Sequence, residues 1–125
     1  TKLDFISDTK KDDNWKKVLD GKDINSYSTK WKNLYVNYGN WLHRKRDEKF
    51  FLTEKVIIRQ IGNIPVATLD KENFYTLNTI YNLIPTSQYS AMFILAIINC
   101  KLGKWFWVEN NSDYKTLFPK IKKIL

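Results

Sequence analysis

Cysteine and histidine each occur once in this chain of 125 residues, as Cys100 and His43. A lone cysteine excludes an internal disulfide framework and fits a reducing, cytoplasmic setting. One Cys and one His cannot assemble a zinc site of the usual kind, so no metal is expected. Catalytic pairings are scarce for the same reason. A nucleophile–base pair would need His43 with Cys100 or a serine, and a histidine on a basic loop reads as a surface residue. Cys100, set among apolar residues, reads as buried filler. The four glycines form no phosphate-cradling loop. Asp8-Thr9-Lys10 has the acid-x-Lys spacing of some nucleases, but no strand pattern surrounds it. Asp12-Asp13 and Asp47-Glu48 neighbour lysines and read as solvated surface. No secretory signal opens the chain. The longest apolar run, Ala91–Ile98, is eight residues, against roughly 20 for a membrane span. The chain is expected to be non-catalytic by itself, to hold no cofactor, and to be a piece of something longer.

Arginine is scarce as well. Of 21 cations only Arg44, Arg46 and Arg59 are arginine, in a chain of net charge +8. The charge is unevenly laid out. Ile24 to Arg46 carries Lys30, Lys32, Arg44, Lys45 and Arg46 and no acid, whereas Asn73 to Val108 is charged only at Lys101 and Lys104. The first stretch supplies a basic surface and the second supplies core. A basic surface attracts polyanions; a solvated lysine-rich face is the competing reading. The three arginines stand out because a planar guanidinium fork pairs in bidentate fashion with guanine or phosphate, which an ammonium cannot do.

What is present in quantity is apolar and aromatic residue, 43% and 15%, enough for one globular domain over 1–125 with residues 1–17 as a lead-in. Trp15–Leu19 reads as a short helical turn stopped at Asp20-Gly21, and Lys22–Lys30 as irregular. Trp31–Tyr38 alternates like a strand, and Trp41–Lys49 reads as a basic surface loop. Lys55–Ile61 is the strongest strand, apolar on both faces at Val56-Ile57-Ile58, as if covered on both sides. Gly62-Asn63 signals a hairpin into Ile64–Leu69, with Pro65 tolerable only at a first or edge position. Phe74–Leu77 and Thr79–Ile84 are further extended runs. A helix from Ser87 to Lys104, capped by Thr86, Ser87 or Ser90, carries Met92, Phe93, Ala96, Ile97 and Cys100 at helical spacing. Trp105-Phe106-Trp107 reads as aromatic core or a continuation of that helix, and Leu117-Phe118-Pro119-Lys120-Ile121 as a closing element. The fold class expected is α+β, a twisted, largely antiparallel sheet packed against helices.

The ordered set of pieces has a resemblance. Val18-Leu19-Asp20-Gly21-Lys22-Asp23-Ile24 with Tyr27, then Trp31 and Leu34 to Leu42, Lys55 to Gly62, Ala67 to Asp70, Phe74 to Tyr81, Ile97 to Leu102 and Leu117 to Lys122 together resemble a TaqI-like specificity domain. The likeness runs from about Val18 to Leu125. It implies the C-terminal target recognition domain of an adenine-N6 DNA methyltransferase or a fused restriction–modification enzyme, possessing double-stranded DNA as partner. It also implies a catalytic domain of the same polypeptide, upstream, that binds S-adenosylmethionine through an Asn-Pro-Pro-Tyr type motif absent here.

On that reading Lys30, Lys32 and Lys45 neutralise phosphates. Arg44, Arg46 and Arg59 with Gln60 are candidates for base edges, although strand-end residues such as Arg59 and Gln60 also commonly hold a fold together. Tyr38 and Trp41 flank the basic loop and are candidates for base stacking; for Trp105 and Trp107 core packing is the stronger reading. The alternative function is a non-catalytic RNA or single-stranded nucleic-acid binding module.

Overall fold

The computed structural model describes residues 4–42, 45–62, 64–86 and 88–110. Its centre is the strand β6, Lys55–Arg59, with β1 to β5 preceding it at Ile6–Ser7, Trp15–Leu19, Ile24–Asn25, Ser28–Thr29 and Tyr35–Asn37. After it come β7 (Ala67–Asp70), β8 (Tyr75–Thr76) and β9 (Ile80–Leu83), then α1 (Ala91–Asn99) and α2 (Lys101–Asn110). The pairing gives a three-stranded antiparallel sheet ordered β7-β6-β9, a four-stranded sheet ordered β1-β5-β2-β8, and a β3–β4 hairpin. In the four-stranded sheet only β2 and β8 run parallel. Sheets plus two helices make the fold α+β, as expected.

The apolar run on β6 behaves as its composition dictates. Val56 and Ile57 are fully buried on opposite faces. Ile57 joins Leu19, Ile24, Val66, Phe74 and Ile80 on one side, and Val56 joins Ala67 and Leu95 of α1 on the other. A central strand covered on both faces has this signature. A third cluster, Val18, Val36, Tyr38, Phe51 and Tyr75, sits on the four-stranded sheet.

Four expectations are corrected. Trp15–Leu19 is a strand, not a helical turn: β2 is sandwiched between β5 and β8, and tertiary pairing overrides any local helical tendency. The residues read as a lead-in contribute β1 and the start of β2 to the sheet. Within the stretch read as irregular, Gly21–Asp23 is a 3₁₀ turn closed by a reciprocal Asp20–Asp23 capping box, and β3–β4 follows. The single helix is two. Ser90 caps the first, accepting from Phe93 N–H at 3.1 Å, and Cys100 is extended between them, with a 62° bend. Gly103 makes the bend possible, since a Cβ there would lie 2.2 Å from the Ile97 carbonyl oxygen.

The helical stripe named from the sequence faces outward. Leu95 and Asn99 are buried and Ala91, Ile94 and Ile98 pack on the core, whereas Met92, Phe93, Ile97 and Cys100 are exposed. Trp105 is likewise exposed, so it continues the helix without joining the core. The closing element at Leu117 to Ile121 lies outside the described residues. No single described helix is long and apolar enough to cross a membrane.

Two polar devices lock α1 and β6 in place. The Asn99 amide spans Ala67, accepting from its N–H at 3.1 Å and donating to its carbonyl at 2.8 Å. Lys55, fully buried, donates to Asp70 at 2.5 Å and to the Phe51 carbonyl at 2.7 Å. Replacing Asn99 by leucine strips both groups of that partner, and we expect a loss of about 1–3 kcal/mol in urea unfolding. Lys55→Met leaves the Asp70 charge buried and is expected to cost about 3–5 kcal/mol. The double variant Lys55→Met/Asp70→Asn should unfold at higher urea than Lys55→Met alone, because the stranded charge is gone.

Candidate nucleic-acid interface

The basic loop between β5 and β6 folds back on the four-stranded sheet. Its anchor is Tyr38, whose ring packs edge-on against Phe51 and Tyr75, at centroid distances of 6.1 and 5.0 Å. The Tyr38 hydroxyl donates to the Arg46 carbonyl oxygen, and Tyr75 donates to Glu48 at 3.0 Å. A 3₁₀ turn at Glu48–Phe50, capped by Asp47, returns the chain to Phe51 in the core. Between this loop and the sheet lies a cleft of about 570 Å³. Buried Val18, Val36, Tyr38, Phe51, Tyr75 and Thr76 form its floor, Leu42 and Leu77 its walls, and Lys45, Arg46 and Asn78 its rim.

The candidate residues are thereby sorted. Lys45 is exposed, donates to Asn40 at 2.9 Å, and lies 5.1 Å above the Tyr38 ring. Arg46 is exposed and also borders a smaller hollow with Phe50, Ile80, Tyr81 and Asn82. Ile80 is in turn the ladder partner of Arg59. Arg44 and His43 lie outside the described residues. Lys30 and Lys32 border neither hollow; Lys32 sits 3.4 Å from the buried carboxylate of Asp23, and the Lys30 N–H donates to the Asp23 carbonyl. The segment that is acid-free in sequence is therefore not acid-free in space, since Asp23 holds one end and Asp47 and Glu48 flank the other.

Arg59 and Gln60 are half-buried, and their N–H groups donate to Val66 and Thr79 carbonyls. The Arg59 Nε is buried and has no hydrogen-bond partner among the described residues. Tyr38 is corrected as a stacking candidate: only 7% exposed, it spends its ring on the core. Trp41 remains available. It is 49% exposed, and its indole N–H donates to the Asn37 carbonyl at 3.0 Å. Its ring folds over Gly39, where a Cβ would come within 2.2 Å of it. The cleft-lining residues Thr76 and Asn78 had no signal in the sequence, because four separate stretches meet there.

A family model described as the TaqI-like C-terminal specificity domain matches residues 16–124. The chain belongs to this family. No curated protein matches the chain significantly. The match takes in both helices and, except for β1 and Trp15 at the start of β2, every strand, and it supports a DNA-recognition specificity domain of the restriction–modification kind.

Within this TaqI-like domain the loop is held by protonated phenols. Burial, then the Glu48 hydrogen bond and charge, pushes Tyr75 well above the ordinary tyrosine range; burial and the charges of Glu48 and Asp47 raise Tyr38 as well. A pKa raised on folding gives stability that is complete below the unfolded tyrosine value near 10 and is lost as pH climbs above it. The unfolding midpoint should therefore fall between about pH 9 and about pH 11, and Tyr75→Phe should shallow that fall in a urea titration at each pH.

Proposed function

We propose that this domain recognises a specific double-stranded DNA sequence for an adenine-N6 methyltransferase, or for a restriction–modification enzyme in which a nuclease is fused to it. The family match carries the reading; the loop geometry supports it. Lys45 and Arg46 project from a loop anchored at Tyr38 and Phe51, and among the described residues neither forms an ion pair. Cations on an anchored loop set register on phosphates, and an arginine so placed reaches a guanine edge. Arg44 belongs to the same loop by sequence. Lys30 and Lys32 are phosphate contacts at a second position. Arg59 and Gln60 act from the end of β6, and Trp41 offers a ring at the loop's start.

Methyl transfer and S-adenosylmethionine belong, in this proposal, to a catalytic domain elsewhere in the same polypeptide. The outward stripe of Tyr89, Met92, Phe93 and Ile97, each about half exposed, supports such a partner, because a helix apolar all round is normally covered on both sides.

The test is duplex binding by fluorescence anisotropy across a salt series. Arg44→Ala, Lys45→Ala and Arg46→Ala are each expected to weaken binding and to reduce the slope of log K against log salt by about 0.9 per lost phosphate contact. Unchanged affinity in all three variants at every salt concentration would reject the loop as the contact surface. A clear preference for single-stranded over duplex probes would favour instead an RNA or single-strand binding module, the reading that exposed Trp41 favours.

A further inference from the structure

The cleft beneath the Lys45–Arg46 rim is not needed to grip phosphates on a duplex surface. Its volume, about 570 Å³, falls within the range of small-molecule sites, roughly 300–1,000 Å³. Its floor is apolar and aromatic, with Phe51 and Tyr75 stacked at a centroid distance of 4.6 Å and an interplanar angle of 22°. Its walls, Leu42 and Leu77, are half-buried. Charge is confined to the mouth, where Lys45, Arg46 and Asn78 are exposed and, among the described residues, the two cations form no ion pair.

An apolar interior under a cationic lip selects a ligand that is flat and weakly polar at one end and anionic at the other. A short aliphatic acid would fill little of this space, and inorganic phosphate would leave the apolar floor bare. A nucleotide meets both demands. Its base covers apolar surface, its phosphate meets Lys45 and Arg46, and an amide such as that of Asn78 has the donor–acceptor pair that a base edge requires. Val18, Val36, Phe51 and Tyr75 on the floor are all buried, so a base still stacked in a helix does not reach them.

We propose that this cleft receives one extrahelical nucleotide of the bound DNA, base against the Phe51–Tyr75 floor and phosphate on Lys45 and Arg46. The proposal rests on the DNA-recognition reading above and adds to it a pocket on the reader itself. Unstacking is the main cost of presenting such a nucleotide, and a base that is already unpaired escapes much of it. A duplex with a one-nucleotide bulge should therefore bind more tightly than the fully paired duplex.

The experiment has two arms. In the first, the intact chain is titrated with deoxyadenosine 5′-monophosphate, deoxyadenosine, inorganic phosphate and a short acidic apolar peptide, following the ¹H–¹⁵N signals of Tyr75, Leu77 and Asn78. The monophosphate should shift these signals at concentrations where the nucleoside and phosphate alone do not. Shifts with the peptide and none with the monophosphate would overturn the proposal and make the cleft a protein-docking site. In the second arm, bulged and fully paired duplexes compete for the protein, with an expected preference on the order of tenfold for the bulge.

Leu77→Trp, which fills the cleft, should bring that ratio to one. Leu42→Trp fills it from the loop side and serves if the first variant does not fold. A ratio of one in the wild type, or a ratio unaltered in a folded filled variant, overturns the proposal. Failure of the recognition reading looks different: the fully paired duplex is then not bound at all, whatever the first arm shows.

Discussion

The ion pair between Lys55 and Asp70 is the constraint on which both the sheet and the loop depend. Each partner is almost wholly removed from water, so neither charge is tolerable without the other and without further hydrogen bonds. Those bonds are distributed over the fold. Asp70 closes the β6–β7 ladder opposite Lys55 and also accepts from Phe74 N–H and Glu72 N–H, which sets the turn into β8. Lys55 reaches in the other direction to the Phe51 carbonyl, the residue at which the basic loop re-enters the core. One pair of charges thus joins the three-stranded sheet to the four-stranded sheet and fixes the root of the loop that carries Lys45 and Arg46.

From that root the loop's shape follows. Phe51 is held by its carbonyl and packs on Tyr75, Tyr75 holds Glu48, and Tyr38 holds the backbone at Arg46. The loop is therefore tied at three points, all on the side facing the sheet, and its cations are left to the outside. This is the arrangement a reading surface requires, since contacts that must match base edges need side chains presented from a backbone that does not move on binding. The cleft is the space such a suspended loop leaves between itself and the sheet.

How much of this could be read in the sequence depends on whether a feature is local. The strand at Lys55 was legible because burial on both faces needs consecutive apolar residues, and the hairpin after it because Gly62-Asn63 is turn chemistry. The Ser90 cap was among three named, and three-residue geometry decides it. Trp15–Leu19 was misread because its strand character comes from partners about 20 and about 60 residues away. The outward stripe of α1 was misread for a different reason. A segment with apolar residues all round has two candidate inner faces, and only the amide of Asn99, a polar group that must be satisfied when buried, marks the true one. At the candidate site, the basic loop could be named from charge, but the burial of Tyr38 could not, because its partners Phe51 and Tyr75 come from elsewhere in the chain.

The same distinction between local and assembled features bears on how the domain divides its labour. The elements that make it recognisable as TaqI-like, from Val18 through the helices, are those that build the two sheets and bury their faces. The residues free to change without emptying that core lie on the loop and the cleft rim: Arg46 and Asn78 belong to none of the three apolar clusters, and Lys45 meets the third only across the face of the Tyr38 ring. Tyr38, Phe51, Lys55 and Asp70 have no such freedom, because each serves the core and the loop at once. A reader built this way can alter what it contacts while its fold stays constant, provided that substitutions stop at the residues whose side chains turn inward. On the proposed reading, the boundary between scaffold and specificity runs through the loop itself, between the buried ring of Tyr38 and the exposed side chains that its hydroxyl, through the Arg46 carbonyl, holds in place.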